Sequence, residues 1–292
     1  AFNGNTALVE VGGAILNFGK LNIVNSIFNG NTADSGGAIF TDGFDDDTLI
    51  VTGSIFTNNV AKINPGGYGY GGAISTSIGT LNFNAFFNNT AYSGNALYAS
   101  DFPVNAVKNW WGSNDSPAGD ICGPVNYSQW IVMQLSALPT IISPGETSTV
   151  TANFNRVNGG GILTGGHIPD GLGVLFISDH KGSVNPSLAF TLNGVAITTY
   201  TAGFVEGGYS IVNATLHGQT VNTTIIIPNP VDLIPSNLVV PSNPYTMHNY
   251  KVYVDVTNDG TDATPNGFHV ILQDNGNTVD EKWIAALAAK TT

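Results

Sequence analysis

Apolar and polar positions in the first third of the chain alternate only in short runs, broken by tracts rich in glycine and asparagine. Leu21-Asn22-Ile23-Val24-Asn25-Ser26-Ile27 is representative. Its period of two predicts strand, with Leu21, Ile23 and Ile27 on one face. No stretch here carries a helical period. The runs recur with two fixed elements. Phe-x-x-Asn appears as Phe2 to Asn5, Phe28 to Asn31, Phe56 to Asn59 and Phe86 to Asn89. Gly-Gly-Ala-Ile follows at 12–15, 36–39 and 71–74, with Gly94-Asn95-Ala96-Leu97 as a decayed fourth copy. Short strands wound the same way once per repeat predict a right-handed parallel β-helix over 1–128, whose rungs bury their apolar faces only against one another. Equivalent residues then lie about 4.8 Å apart. Phe2, Phe28, Phe56 and Phe86 should stack, and Asn5, Asn31, Asn59 and Asn89 should form an amide ladder. These eight are read as structural residues rather than catalytic ones.

Two insertions break the period. Thr41-Asp42-Gly43-Phe44-Asp45-Asp46-Asp47 concentrates four carboxylates, Asp42, Asp45, Asp46 and Asp47. Four oxygen ligands on a glycine-bearing loop would suit Ca²⁺. The spacing is not that of an EF-hand and adjacent Asp side chains point apart, so a solvated loop is preferred over a calcium site. No other cofactor is expected. Lys62 to Tyr70 brings Tyr68 and Tyr70 onto a turn, where they either stack on sugars or cover the rung below. Asn109-Trp110-Trp111-Gly112 then supplies two indoles. They are large enough to cover the last rung; a carbohydrate platform made by Trp110 and Trp111 is the alternative.

After about residue 129 the glycine-rich repeats give way to longer alternating runs, including Thr147–Phe154, Val174–Ile177 and Thr223–Ile227. Turn signals at Asn193-Gly194 and His217-Gly218 separate them. Roughly seven strands in about 100 residues predict an antiparallel sandwich over 129–228. Pro228-Asn229-Pro230 reads as a stiff linker to a second sandwich over 229–292, with Lys251–Asn258 as its clearest strand.

Four resemblances follow from these residues. The paired Gly-Gly-Ala-Ile and Phe-x-x-Asn motifs resemble the repeats of polymorphic outer-membrane proteins and of adhesin-like surface proteins of methanogenic archaea. The Asn-Trp-Trp-Gly segment is similar to one that closes many surface β-helices. His167-Ile168-Pro169-Asp170-Gly171, Gly194-Val195-Ala196 and the alternating run at 208–216 resemble the invasin/intimin type of bacterial immunoglobulin-like domain. The stretch from Val231 resembles a cell-adhesion-related domain, short of its final strands. Together they imply an all-β chain: a right-handed parallel β-helix followed by two immunoglobulin-like β-sandwiches, the second incomplete. They imply an extracellular, cell-surface structural or adhesive protein, whether surface layer, sheath, filament or adhesin stalk.

Composition narrows the alternatives. Net charge is −12 with only eight basic residues, so binding nucleic acid by phosphate neutralisation is not expected. The single Cys122 rules out an internal disulfide and is read as a small buried thiol. No apolar run is long enough to span a membrane. Polysaccharide lyases and hydrolases also use β-helices, and a carbohydrate-binding or polysaccharide-degrading protein is the alternative function. Residues 1–128, however, hold no Arg or His, and their acids, such as Glu10, Asp34 and Asp101, lack the paired spacing of a glycosidase. The chain is read as no enzyme. Sequons at Asn88, Asn114, Asn126, Asn213 and Asn222 are candidate glycosylation sites on an exported protein, with Asn88 expected to be the least accessible. Because Phe2 opens a rung with only Ala1 before it, both ends are expected to continue into further repeats or domains of a longer chain, or to meet other copies. Cell-surface glycans or proteins are the remaining partners considered.

Overall fold

A computed structural model describes residues 1–8, 10–42, 48–62, 69–203, 208–228, 233–239, 252–260, 268–274 and 277–288. Among these the chain is all-β, with only two short 3-10 turns, Pro117–Asp120 and Asn158–Gly160. The N-terminal part is a parallel β-solenoid, as the repeat predicts. One sheet stacks Phe2–Asn3, Ile27–Asn29, Ile55–Thr57 and Ala85–Phe87. A second stacks Ile15–Asn17, Ile39–Thr41, Ile74–Thr76, Leu97–Ala99 and Ile121–Cys122. A third stacks Leu21–Val24, Leu49–Thr52, Thr80–Asn82, Val104–Asn105 and Val125–Asn126. Register pairs Phe2 with Phe28, Phe28 with Phe56 and Phe56 with Phe86. Their rings stack at centroid distances of 4.7, 4.8 and 4.9 Å.

The asparagine column runs beside them and has a direction. Asn5, Asn31 and Asn59 each donate their backbone N–H and Nδ2 to Oδ1 of the asparagine one rung later. The later residue's Nδ2 in turn donates to the carbonyl of the earlier rung's phenylalanine. Asn31 and Asn59 are wholly buried. The side-chain amides of Asn31 and Asn59 thus meet partners at both oxygen and nitrogen, which burial of an amide requires.

A second ladder, not legible from the repeat motifs, occupies another corner. Ser26 donates its backbone N–H to Ser54 Oγ, Ser54 to Asn84 Oδ1, and Asn84 to Asn109 Oδ1, at 2.9 to 3.1 Å. The residue two before each of Phe28, Phe56, Phe86 and Trp111 carries it.

The Gly-Gly pairs have separate reasons. Gly36 sits at φ 60°, and a Cβ there would meet the Ile39 carbonyl oxygen at 2.2 Å. Gly37 would instead drive a Cβ into the next rung, 2.1 Å from the Gly72 carbonyl oxygen. Asn95 fills the second place in the last copy, where its Nδ2 donates to Asp120 Oδ1.

One detail of the strand reading changes. Leu21 and Ile23 point inward, but Ile27 is exposed. Asn25 adopts φ 48°, which turns a corner and restarts the alternation so that Phe28 faces the core.

Residues 131–227 form two four-stranded antiparallel sheets. One runs Ile131–Leu138, Thr147–Val157, Val195–Ala202 and Gly182–Asn185; the other Leu188–Phe190, Gly173–Ser178, Gly208–Leu216 and Gln219–Ile227. Alternate residues of both, among them Val150, Phe154, Phe176, Tyr200, Val212 and Ile225, share one core. Beyond them lie two antiparallel pairs, Leu233–Val239 with Tyr253–Asn258 and Phe268–Asp274 with Asn277–Ile284.

Candidate functional site

The chain's most elaborate side-chain arrangement lies where the solenoid ends. Trp110 and Trp111 are adjacent, so strand alternation sends their indoles to opposite sides. Trp111 stacks on Phe86 at 4.7 Å and extends the aromatic column by one member. Trp110 leaves the solenoid and meets Phe154 edge-on at 5.5 Å within the core of the antiparallel sheets. Both indoles are buried, which corrects the carbohydrate-platform alternative: neither offers a face to a sugar in solution.

Hydrogen bonds fasten the same junction. Asn114 lies three residues past Trp111, the place of the next ladder asparagine, but its amide turns away. Its Oδ1 accepts from Met133 N–H at 2.7 Å and its Nδ2 donates to the Met133 carbonyl at 2.9 Å. The backbone N–H of Asn114 and the Ser113 hydroxyl both donate to Gln219 Oε1. His217, at φ 51° in the hairpin before Gly218, stacks on Phe87 and accepts at Nδ1 from Trp110 Nε1 at 3.0 Å. Burial pushes its pKa down to about 4, so the ring is neutral with its proton on Nε2. On the flank, Lys108 donates to the Thr164 carbonyl, and its ammonium lies 5.9 Å from the Phe83 ring.

Between the last full rung and this cap lies a cavity of about 190 Å³. Phe86, Phe87 and Trp111 give it an aromatic wall, while Asn88, Asn89, Asn95, Asp120 and His217 give it polar ones.

The other candidate residues are scattered. Tyr70 meets Tyr98 at 4.5 Å and is half-buried, the arrangement of a residue covering its neighbouring rung. Burial, helped by the neighbouring Tyr70, raises the Tyr98 phenol above its ordinary pKa. Asp42 is exposed; Asp45, Asp46, Asp47 and Tyr68 lie outside the described residues. Among the described residues no cluster of His, Cys, Asp and Glu could hold a metal ion, and no helix is long and apolar enough to cross a membrane. The sequon asparagines differ in a way the sequence did not show. Asn88 is exposed at a corner with φ 56°, which corrects the expectation that it is the least accessible. Asn126 and Asn222 are exposed too, and Asn213 pairs with Asn222 across adjacent strands. Asn114 is tied down at both its amide oxygen and its Nδ2.

Two family matches fall on parts of the chain. The Chlamydia polymorphic membrane protein repeat matches residues 25–42. CARDB matches residues 229–292. No curated protein matches. Among solved structures, the chain is similar to surface layer protein SbsC, domains 1–6, at 14% identity and a TM-score of 0.23, over 55% of this chain and 22% of that one. It is also similar to domains 5–6 of that S-layer protein, at 16% identity and a TM-score of 0.23, over 55% of this chain and 87% of that one. The chain therefore spans about a fifth of the first of these structures.

Proposed function

We propose that this chain is a stiff structural or adhesive element displayed at a cell surface. The observation that carries the reading is the junction at Trp110 and Trp111, where Trp111 enters the solenoid core and Trp110 the antiparallel core. Units joined by buried aromatics and side-chain clamps resist bending, whereas domains on a flexible linker move independently. The two family matches support the reading, one being a repeat of a membrane protein. In this proposal the sheets over 129–228 are an immunoglobulin-like sandwich of invasin type and 229–292 belongs to a second. The protein is extracellular, glycosylated and without catalytic activity, and it works by associating with copies of itself or with further domains.

Protease treatment of intact source cells tests this directly. The expected result is loss of the protein from whole cells while a cytoplasmic marker survives. Protection in intact cells, with digestion only after lysis, would overturn the proposal. Electron microscopy of native envelopes then separates the two forms: a lattice or end-to-end filament supports the structural role, and isolated stalks support the adhesive one.

A further inference from the structure

The two sheets of the antiparallel region share one core but present unlike outer faces. The first turns Thr147, Thr149, Thr199 and Thr201 to water, interrupted by Ile197 and by Leu138 at a strand end. The second exposes Leu175, Ile177, Leu188, Phe190, Tyr209 and Ile226, with Ile177 53% and Tyr209 64% accessible. None of its four strands holds a charged residue. Single exposed apolar side chains are ordinary, but a set spread over one sheet marks a surface that something covers. Two sequons lie on this same face. Asn213-Ala214-Thr215 and Asn222-Thr223-Thr224 sit on adjacent strands, and register pairs Asn213 directly with Asn222. Ile177 stands beside Asn213 in the same row. The strands of the threonine-bearing sheet hold no sequon.

The two sequons are not equivalent. Asn222 and its Thr224 are exposed on Gln219–Ile227, an outer strand of the sheet, whereas Asn213 is half-buried on the inner strand Gly208–Leu216. The Thr215 hydroxyl is also engaged with that of Thr220 at 2.8 Å. Directly paired residues have Cβ atoms about 5 Å apart, too close for each to root a glycan. We propose that Asn222 carries an N-linked glycan that lies over this sheet face and covers its apolar residues. The Asn222 amide nitrogen attacks the anomeric carbon of a phosphate-activated glycan donor. The new C–N bond replaces the C–O bond to phosphate, the phosphate departs with that electron pair, and the amide gives up one proton to a base of the host's transferase. Sugars suit this place because their C–H faces rest on aliphatic and aromatic side chains while their hydroxyls stay in water. The covalent tether holds them at high effective concentration, so weak contacts suffice. The inference rests on the reading that the chain is displayed outside the cell, and adds which asparagine is used and what the sugar does there.

Glycopeptide mass spectrometry of the native protein is the first test, and it should find glycan at Asn222 and a bare Asn213. The second compares Asn222→Gln with Asn126→Gln, both made in the source organism. Asn126 is an exposed sequon residue on the solenoid, away from this face. Loss of the Asn222 glycan should raise the fluorescence of an added naphthalene-sulfonate dye several-fold and make the protein associate as its concentration rises. Asn126→Gln should change neither. Adding Ile177→Thr to Asn222→Gln should lower the dye signal again. Thr224→Val removes the sequon with a side chain of similar shape suited to a strand, and serves if circular dichroism shows that Asn222→Gln does not fold. An unmodified Asn222, glycan at Asn213 instead, or dye binding unchanged by loss of the Asn222 glycan would overturn the proposal. Glycan at Asn88 or Asn126 with Asn222 bare overturns it alone, since the surface reading fails separately, by protection of the protein from protease on intact cells.

Discussion

Asn59 is wholly buried and has every hydrogen-bonding group engaged: Oδ1 by Asn31, Nδ2 by Phe28 and Asn89, and its backbone N–H by Asn89. Removing its amide orphans several buried groups at once, each at the cost of an unmet hydrogen bond. Asn59→Ala should therefore destabilise the protein by about 4 kcal/mol in a denaturant titration. Asn58→Ala, one residue away on an exposed corner at φ 55°, should cost only about 1 kcal/mol. The two glycines Gly30 and Gly37 make a parallel pair. Gly30→Ala meets nothing within 4 Å and bears only the strain of φ 67°, about 1 kcal/mol. Gly37→Ala collides with backbone of the next rung and should yield little soluble protein. The sequon residues rank at this scale too. Mass spectrometry of native material should find glycan at Asn88, Asn126 or Asn222 and none at Asn114.

The hairpin that carries His217 belongs to the antiparallel sheets but reaches back to Trp110 and Phe87. Its folded pKa of about 4 lies below the usual 6.5, so the unfolded chain binds the proton more readily. Stability from this group is then fully present above about pH 6.5 and is lost as pH falls toward 4. Melting temperatures should drop through that window. His217→Gln should flatten this contribution, and an unchanged pH profile in that variant would argue against the assignment. Legibility in the sequence also varied by element. Solenoid strands were readable because phenylalanine and asparagine recur at the same place in every repeat. The second ladder hid because its members change from Ser26 and Ser54 to Asn84 and Asn109, so that only position, not identity, repeats. Ile27 was misplaced because period two carries no sign of a corner; that required knowing that Asn25 takes a positive φ. The cavity was invisible for a related reason. Asn114 stands where the ladder motif calls for it, and only tertiary contact with Met133 draws it away.

At the scale of the whole molecule, the split indole pair decides whether the parts behave as one. With Trp110 in place, solenoid and antiparallel sheets share buried surface and should melt in a single calorimetric transition. Trp110→Ala removes the edge contact with Phe154 and the bond to His217, at a cost of about 3–5 kcal/mol. The expected thermogram then separates into two transitions. A single transition in the variant would show that the hydrogen bonds of Asn114 and Gln219 suffice to couple the units. The second antiparallel sheet also turns an uncharged outer face to solvent, with Leu175, Ile177, Phe190, Tyr209 and Ile226 exposed.

Every ladder bond in the solenoid joins one turn of the chain to the next and lies along the stacking axis. A tensile load on the ends of the solenoid would thus act on one turn at a time, peeling the coil as a zipper opens instead of shearing all turns together. Each turn that lets go frees one repeat of the chain, roughly 95 Å of contour length. Under a pull the solenoid would lengthen in steps while the long antiparallel strands beyond it still held, making it an extensible shock absorber ahead of a stiffer anchor.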